Sequence, residues 1–284
     1  MKRVLKTIKD FNELVMFQHT VFSLPFIFMA MFVAAEGWFG WRLFVLGLFA
    51  AVTARNFAMS FNRYIDRRFD RENPRTKGRP SVDGRLNPTV ILLFTVINAV
   101  FFVAVSFYIN MLAFYLSVPF LGILAFYSYV KRFSSSAHLF LGLALGLAPI
   151  AGAVAVTGMV PLWSVLLAMG VLFWVAGFDL LYALQDMEYD KERGLHSIPA
   201  RFGLTKTLWI SRGFHLMSIL FWSAFVMSVP LLSTYSLAGL ATATMMLMWE
   251  QYLVHKGLEN INRAFFTING YLGFIFLFFV IMDL

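Results

Sequence analysis

The sequence predicts an all-α, polytopic membrane fold of nine transmembrane helices, with the N-terminus on the cytoplasmic side. Three observations lead there. The 284 residues are 60% hydrophobic and only 13% charged, against roughly 25% charged in a soluble domain. The apolar residues fall into spans close to the ~20 residues that cross about 30 Å of hydrocarbon. The basic residues gather in the loops of one side, as cytoplasmic loops do.

Taken in order, Met1 to Lys9 is basic and residues 10–18 suit an amphipathic lead-in helix. The first span, near 20–36, contains Pro25. It is long for a signal-peptide core, lacks a small-residue cleavage site and precedes many similar spans, so a retained helix is expected. Further spans lie near 42–62, 88–108, 111–130, 137–156, 162–182, 206–228, 232–254 and 264–282. With nine spans, the N-terminus and the loops near 63–87, 131–136, 186–206 and 255–263 share one side. They hold 20 of the 23 Lys and Arg; Arg42 lies opposite, and Arg55 and Arg212 lie within or beside spans. This places the N-terminus inside and the C-terminus outside. The net charge of +8 is then a topology signal, and nucleic acid is not an expected partner. No cysteine is present, which excludes disulfides and thiolate chemistry. The five histidines are scattered without ligand spacing, which argues against zinc or iron.

Two stretches carry the chemistry. In the first, Asn62, Asp66 and Asp70 are spaced by four and fall within about 80° on a helix. Arg55, seven residues earlier, shares their face. In the second, Asp179, Tyr182, Asp186 and Asp190 form a stripe of about the same width. Both stretches sit at cytoplasmic ends of apolar spans. One acid at a helix end is commonly a cap; six carboxyl or amide groups on two matched stripes are not explained that way. Facing carboxylates at a membrane are costly unless neutralised. Hard oxygen ligands without His or Cys favour Mg²⁺, which keeps water and substrate phosphates in its shell. The adjoining loop holds Arg63, Arg67, Arg68, Arg71, Arg75, Lys77, Arg79 and Arg85, as a polyanion requires. A diphosphate whose remainder lies in a bilayer is a polyprenyl diphosphate.

The Asn73–Pro74–Arg75–Thr76 turn is suited to fold Arg75 and Arg79 back over the site. Tyr127 lies one turn before Lys131 on the same face, within reach of a diphosphate or simply anchoring a helix end. Arg55 lies about two turns deeper than Asn62 and needs an anion. It either pairs structurally with Asp179 or binds a carboxylate on the acceptor substrate. Glu250 receives no role.

These residues resemble the UbiA family of intramembrane aromatic prenyltransferases. The family's first motif, Asn-Asp-x-x-Asp-x-x-x-Asp, corresponds to Asn62-Arg63-Tyr64-Ile65-Asp66-Arg67-Arg68-Phe69-Asp70. The second, Asp-x-x-Tyr-Ala-x-x-Asp-x-x-x-Asp, runs from Asp179 to Asp190 without departure, and Tyr-x-x-x-Lys matches Tyr127 to Lys131. The resemblance covers nearly the whole chain and implies a single transmembrane domain, residues 1–284, around a central cavity. It implies Mg²⁺ held through Asp66, Asp70, Asp186 and Asp190, with Asn62 orienting or joining the set. Arg75, Arg79 and Lys131 would stabilise departing pyrophosphate, and an apolar chamber would shield the allylic cation. Asp179, near Tyr182, would orient or deprotonate the acceptor hydroxyl, and Arg55 would meet its carboxylate.

Two departures bear on the acceptor. Arg63 replaces the first motif's usual Asp, and His196 stands where many 4-hydroxybenzoate enzymes have Lys. Both departures resemble a subgroup of the family, and that resemblance implies 4-hydroxybenzoate or a dihydroxynaphthoate as acceptor, in ubiquinone or menaquinone biosynthesis. Haem, chlorophyll and lipid acceptors are the alternatives within the family. An ion-coupled transporter is the alternative outside it; it predicts acids near the midplane, not at one face beside a basic loop. Nine spans without a targeting peptide fit the cytoplasmic membrane of a bacterium or archaeon.

Overall fold

The computed structural model describes residues 2–16, 24–130 and 132–284, without the side chains of residues 2–6 and 263–265. Every regular element among them is helical: α1 (Lys2–Val15), α2 (Leu24–Ala35), α3 (Trp41–Glu72), α4 (Pro88–Ile109), α5 (Met111–Val130), α6 (Ala137–Thr157), α7 (Leu162–Ala183), α8 (Met187–Glu192), α9 (Ile198–Ser228), α10 (Thr234–Lys256), α11 (Ile261–Arg263) and α12 (Asn269–Asp283), with short 3₁₀ and π turns between some of them. Each expected span overlaps a helix. Among the described residues, seven helices are long and apolar enough to cross a membrane. α2 has 12 residues, and α10 carries Glu250, Gln251, His255 and Lys256 in its second half.

Two sequence-based loop boundaries are corrected. The polar loop expected from residue 63 is helix through Glu72, because Arg is a good helix former and nothing breaks the run before Pro74. Asn73, ahead of that proline, is extended at φ −85° and ψ 120°, since proline disfavours α geometry in the residue before it. The expected loop 186–206 contains α8 and the first turns of α9. Ser197 caps α9 by accepting from Ala200 N at 3.3 Å. Gly203 then interrupts it at φ 74°, a left-handed conformation that glycine tolerates.

At 32 residues, α3 is about 48 Å long, against about 30 Å of hydrocarbon. α7 with its 3₁₀ turn and α8 forms a second long rod, Leu162–Glu192. The acidic ends therefore project beyond the apolar layer while their stems stay anchored. α7 is the central helix, packed against α6 and α9; α2 closes against α6 and α12, and α12 against α10. Small residues permit this closeness. A Cβ on Gly142 would lie 2.2 Å from the Leu172 carbonyl oxygen, and one on Gly152 would lie 2.4 Å from that of Ile27. α4 and α5 present Val90, Leu93, Val100, Phe101, Tyr115 and Val118 outward, as a lipid-facing surface requires.

The half of the molecule formed by α2, α7, α9, α10 and α12 is solid. Phe26, Trp174, Trp222, Phe225 and Phe276 are fully buried there. A buried polar chain ties its helices together. Trp174 Nε1 donates to Asn269 Oδ1 at 2.7 Å, and Asn269 Nδ2 donates to Glu250 Oε1 at 2.7 Å. Gln251 Nε2 donates to Ser211 Oγ at 2.8 Å and lies 3.0 Å from His215 Nδ1. Ser211 donates to the Gly177 carbonyl at 2.9 Å. With an amide N–H against Nδ1, the His215 proton belongs on Nε2, 3.9 Å from Glu250 Oε2. Glu250 is thus a structural acceptor fixing α7, two turns before its acidic end.

On the polar face, Arg85 gathers α1 onto the 73–87 loop. It bonds Glu13 at 2.6 Å and 2.8 Å, Asp83 at 2.6 Å and Asp10 at 3.2 Å. Its hydrogen bond holds the Glu13 carboxyl below the ordinary range.

Gly142→Ala is expected to lower the thermal unfolding temperature in detergent, at an overpacking cost of about 1–3 kcal/mol. Gly122→Ala, where an added Cβ meets nothing within 4 Å, is expected to leave it unchanged. A fluorescence melt of both variants checks this.

Candidate active site

The first acidic stretch is the C-terminal end of α3. Asp66 and Asp70 are 2% and 6% exposed. Asn62 Nδ2 donates to Asp66 Oδ2 at 3.0 Å and to Ser128 Oγ at 3.3 Å. Arg132, just past α5, approaches Asp66 Oδ1 at 3.3 Å. It also donates to the Ile65 carbonyl at 3.1 Å and lies over the Phe69 ring. The Asn-Pro turn folds the loop back as expected, and Arg79 reaches Asp70 Oδ1 at 2.7 Å. Thr76 fixes the turn by donating to the Asp70 carbonyl at 2.9 Å.

The second stretch is the end of α7 and α8, and the two ends meet. Arg75 Nε donates to Asp186 Oδ1 at 2.8 Å, and its Nη2 also bonds the same carboxylate. Nη1 of Arg75 reaches the Tyr182 hydroxyl at 3.3 Å, and the guanidinium lies over that ring. Burial disfavours the charge on Arg75, but Asp186 more than offsets this and holds the side chain more firmly protonated than usual. Asn73 Nδ2 donates to Asp186 Oδ1 at 3.3 Å, Tyr189 donates to the Phe69 carbonyl at 3.0 Å, and Arg193 pairs with Glu72 at 2.9 Å. Asp190 is half-buried on α8.

Asp179 Oδ2, one turn before Tyr182, accepts from His138 Nδ1 at 2.7 Å. This overturns the structural pairing of Asp179 with Arg55. Burial drives the exchange: His138 sits at the start of α6, directly against α7, and is 5% exposed. Among the described residues, Arg55 Nε instead has no hydrogen-bond partner. Arg55 and Tyr127 line an apolar chamber of about 130 Å³ bounded by α2 to α6, with Ala50, Ala51, Ala54 and Ala58 along its α3 wall. Tyr127 therefore faces the chamber beside Arg55, and the electrostatic neighbours of its hydroxyl include Arg63, Asp66 and Asp179. Lys131 lies outside the described residues. His196 is exposed, two residues after the left-handed Gly194.

Among the described residues, no three His, Cys, Asp or Glu side chains converge as one ligand set. Guanidinium groups stand against three of the four expected metal-binding aspartates instead: Arg132 at Asp66, Arg79 at Asp70 and Arg75 at Asp186. The residues nevertheless fit a hard divalent cation. Their donors are all oxygen, and Asp70 Oδ2 is buried without a hydrogen-bond partner, which a cation would satisfy.

Sequence reasoning missed His138, Asn73, Ser128 and the Asp66 contact of Arg132. The first had a legible signal: by topology, the start of α6 opposes the end of α7. The others depend on turn geometry. Because the chain contains no cysteine, Glu72→Cys with Arg193→Cys gives a clean test of the meeting ends. A short bis-maleimide is expected to join them in native membranes, read as a mobility shift after a cut engineered between the two. Each single variant should show none.

Comparison with known proteins agrees with this architecture. The model of the UbiA prenyltransferase family matches residues 23–280. A 4-hydroxybenzoate octaprenyltransferase of Albidiferax ferrireducens is 30% identical over 246 residues, covering 86% of this chain and 82% of that one. A solved UbiA homologue from Aeropyrum pernix K1, in its apo form, superposes with a TM-score of 0.85 at 28% identity, covering 93% and 98% of the two chains. A homologue from Archaeoglobus fulgidus bound to DMAPP and Mg²⁺ shares the fold, with a TM-score of 0.79 at 19% identity and coverage of 97% and 100%. The chain belongs to the UbiA prenyltransferase family and is a prenyltransferase.

Proposed function

We propose that this enzyme transfers a polyprenyl group from polyprenyl diphosphate to a small hydroxylated aromatic carboxylic acid, with Mg²⁺, for quinone biosynthesis. One observation carries the reading. Two acidic helix ends, bridged by guanidinium–carboxylate pairs, meet near an apolar chamber lined by Arg55, whose Nε has no hydrogen-bond partner among the described residues. The Albidiferax ferrireducens relative supports 4-hydroxybenzoate as acceptor; Arg63 and His196 keep a dihydroxynaphthoate beside it. In this reading all nine spans cross a bacterial or archaeal cytoplasmic membrane, with the N-terminus and both acidic ends on the cytoplasmic side.

Asp66, Asp70, Asp186 and Asp190 would hold Mg²⁺, whose positive charge would neutralise the diphosphate and make it a better leaving group. Asn62, already directed at Asp66, holds that carboxylate in place. Arg75 and Arg79 turn from Asp186 and Asp70 to the outer oxygens of the departing pyrophosphate, and Lys131 joins them. The bond from the allylic carbon to the diphosphate oxygen breaks. The chamber keeps water from the resulting cation. The acceptor ring forms the new carbon–carbon bond ortho to its hydroxyl and then loses its ring proton to the released pyrophosphate. Asp179, oriented by His138, accepts from the acceptor hydroxyl and raises the electron density of the ring, with Tyr182 and Tyr127 flanking. Arg55 pairs with the acceptor carboxylate.

Asp66→Asn and Asp190→Asn are each expected to abolish Mg²⁺-dependent transfer while the folded protein stays in the membrane. Normal activity in both would remove the metal assignment. Arg55→Ala should raise the KM for the aromatic acid at least tenfold, about 1.4 kcal/mol, with little change in that for the diphosphate. The substrate is identified by offering the purified enzyme geranyl diphosphate with 4-hydroxybenzoate and 1,4-dihydroxy-6-naphthoate in competition, products read by mass spectrometry. A prenylated 4-hydroxybenzoate is the expected major product. Pyrophosphate release without either prenylated acid would discard the acceptor class and retain the diphosphate site.

A further inference from the structure

We infer that Arg63 is a diphosphate-binding residue, supplying a fixed positive charge inside the acidic site. The inference rests on the diphosphate reading above. Arg63 is 6% exposed. Its two hydrogen-bond partners are both neutral: Asn62 Oδ1 at 3.3 Å and the Met16 thioether at 3.1 Å. A thioether is a weak acceptor. A buried guanidinium stays charged and is costly without an anion. Arg63 makes no salt bridge among the described residues, whereas Arg75, Arg79 and Arg132 each have one.

Position decides which anion it takes. The charged groups whose fields act on Arg63 are Arg79, Asp70 and Asp66, with the Tyr127 hydroxyl, so it belongs to the diphosphate end. Arg55 lies eight residues deeper, about 12 Å along the helix, and lines the apolar chamber. Asp70, two turns beyond Arg63 on nearly the same face of α3, keeps Oδ2 buried and unpartnered. Among the described residues, the wall thus presents a guanidinium without an anionic partner and a carboxylate oxygen without a hydrogen bond. A diphosphate carrying a divalent cation complements both, its oxygen on Arg63 and its metal on Asp70. Arg63 also fixes Asn62: by donating to Oδ1 it turns the amide nitrogen toward Asp66. The residue therefore serves ligand and first acidic stretch together.

The test is calorimetric titration of the full-length protein in detergent with inorganic pyrophosphate at fixed Mg²⁺, for wild type, Arg63→Gln and Arg63→Lys. Melting of the ligand-free proteins and KM for geranyl diphosphate and 4-hydroxybenzoate are measured beside it. Arg63→Gln is expected to weaken pyrophosphate at least tenfold and to raise the KM for geranyl diphosphate, with ligand-free melting and the KM for the aromatic acid little changed. Arg63→Lys should recover part of the affinity. Unchanged pyrophosphate affinity in Arg63→Gln overturns the inference, as does a loss confined to the aromatic acid. Should the Gln variant not fold, Arg63→Lys decides: a weakening of about threefold or more is expected for loss of the planar fork, and unchanged affinity overturns it. A wild type that binds pyrophosphate through Arg63 yet prenylates neither acid would support the inference and sink the proposed acceptor.

Discussion

Carboxylates crowded at one membrane face repel one another, and the cost of leaving them unneutralised rises as water is withdrawn. The functional end of this enzyme is built around that constraint. Asp66, Asp70 and Asp186 each face a guanidinium, from Arg132, Arg79 and Arg75. These arginines come from two places: Arg132 follows α5, whereas Arg75 and Arg79 come from the loop after α3. The charge pairs therefore do more than stabilise side chains. They fold the 73–87 loop down, draw α8 against α3 and bring two distant stretches of chain together.

The same pairs give the site a way to change state. A guanidinium–carboxylate pair at a partly exposed site contributes modestly to stability, so it yields to a better partner for each member. A cation for the carboxylates and a diphosphate for the arginines would arrive as one complex. Exchange of partners then keeps charge balanced throughout, without exposing a bare carboxylate. The apolar part of the molecule supplies rigidity for this exchange. α7 is held on both sides by close packing at Gly142 and by the buried chain through Trp174, Asn269, Glu250 and Gln251. Its acidic end is accordingly held in place.

The two halves of the bundle divide the work. α7, α9, α10 and α12 pack as a solid aromatic core with α2, whereas the chamber belongs to α2 through α6. Alanines along α3 leave that chamber open where larger residues would fill it. In the proposed reading, Arg55 and Arg63, two turns apart on the same helix, address different anions: the deeper one a carboxylate beside an apolar wall, the outer one a diphosphate beside the acidic ends.

Much of this was legible in the sequence, for physical reasons that can be named. Hydrocarbon thickness sets helix length, so the spans were visible as apolar runs, and helical periodicity put Asn62, Asp66 and Asp70 on one face. Pro74 marked the end of α3. The helix extending to Glu72 was less visible, since charged residues read as loop when a membrane is expected to end. What only the tertiary structure decided is which charges meet. Asp179 pairs with His138 rather than Arg55, Arg132 rather than a loop arginine faces Asp66, and Arg63 turns inward. Each depends on the distance and rotation between helices far apart in the chain, and local spacing cannot fix those; side-chain packing between α3, α5, α6 and α7 does.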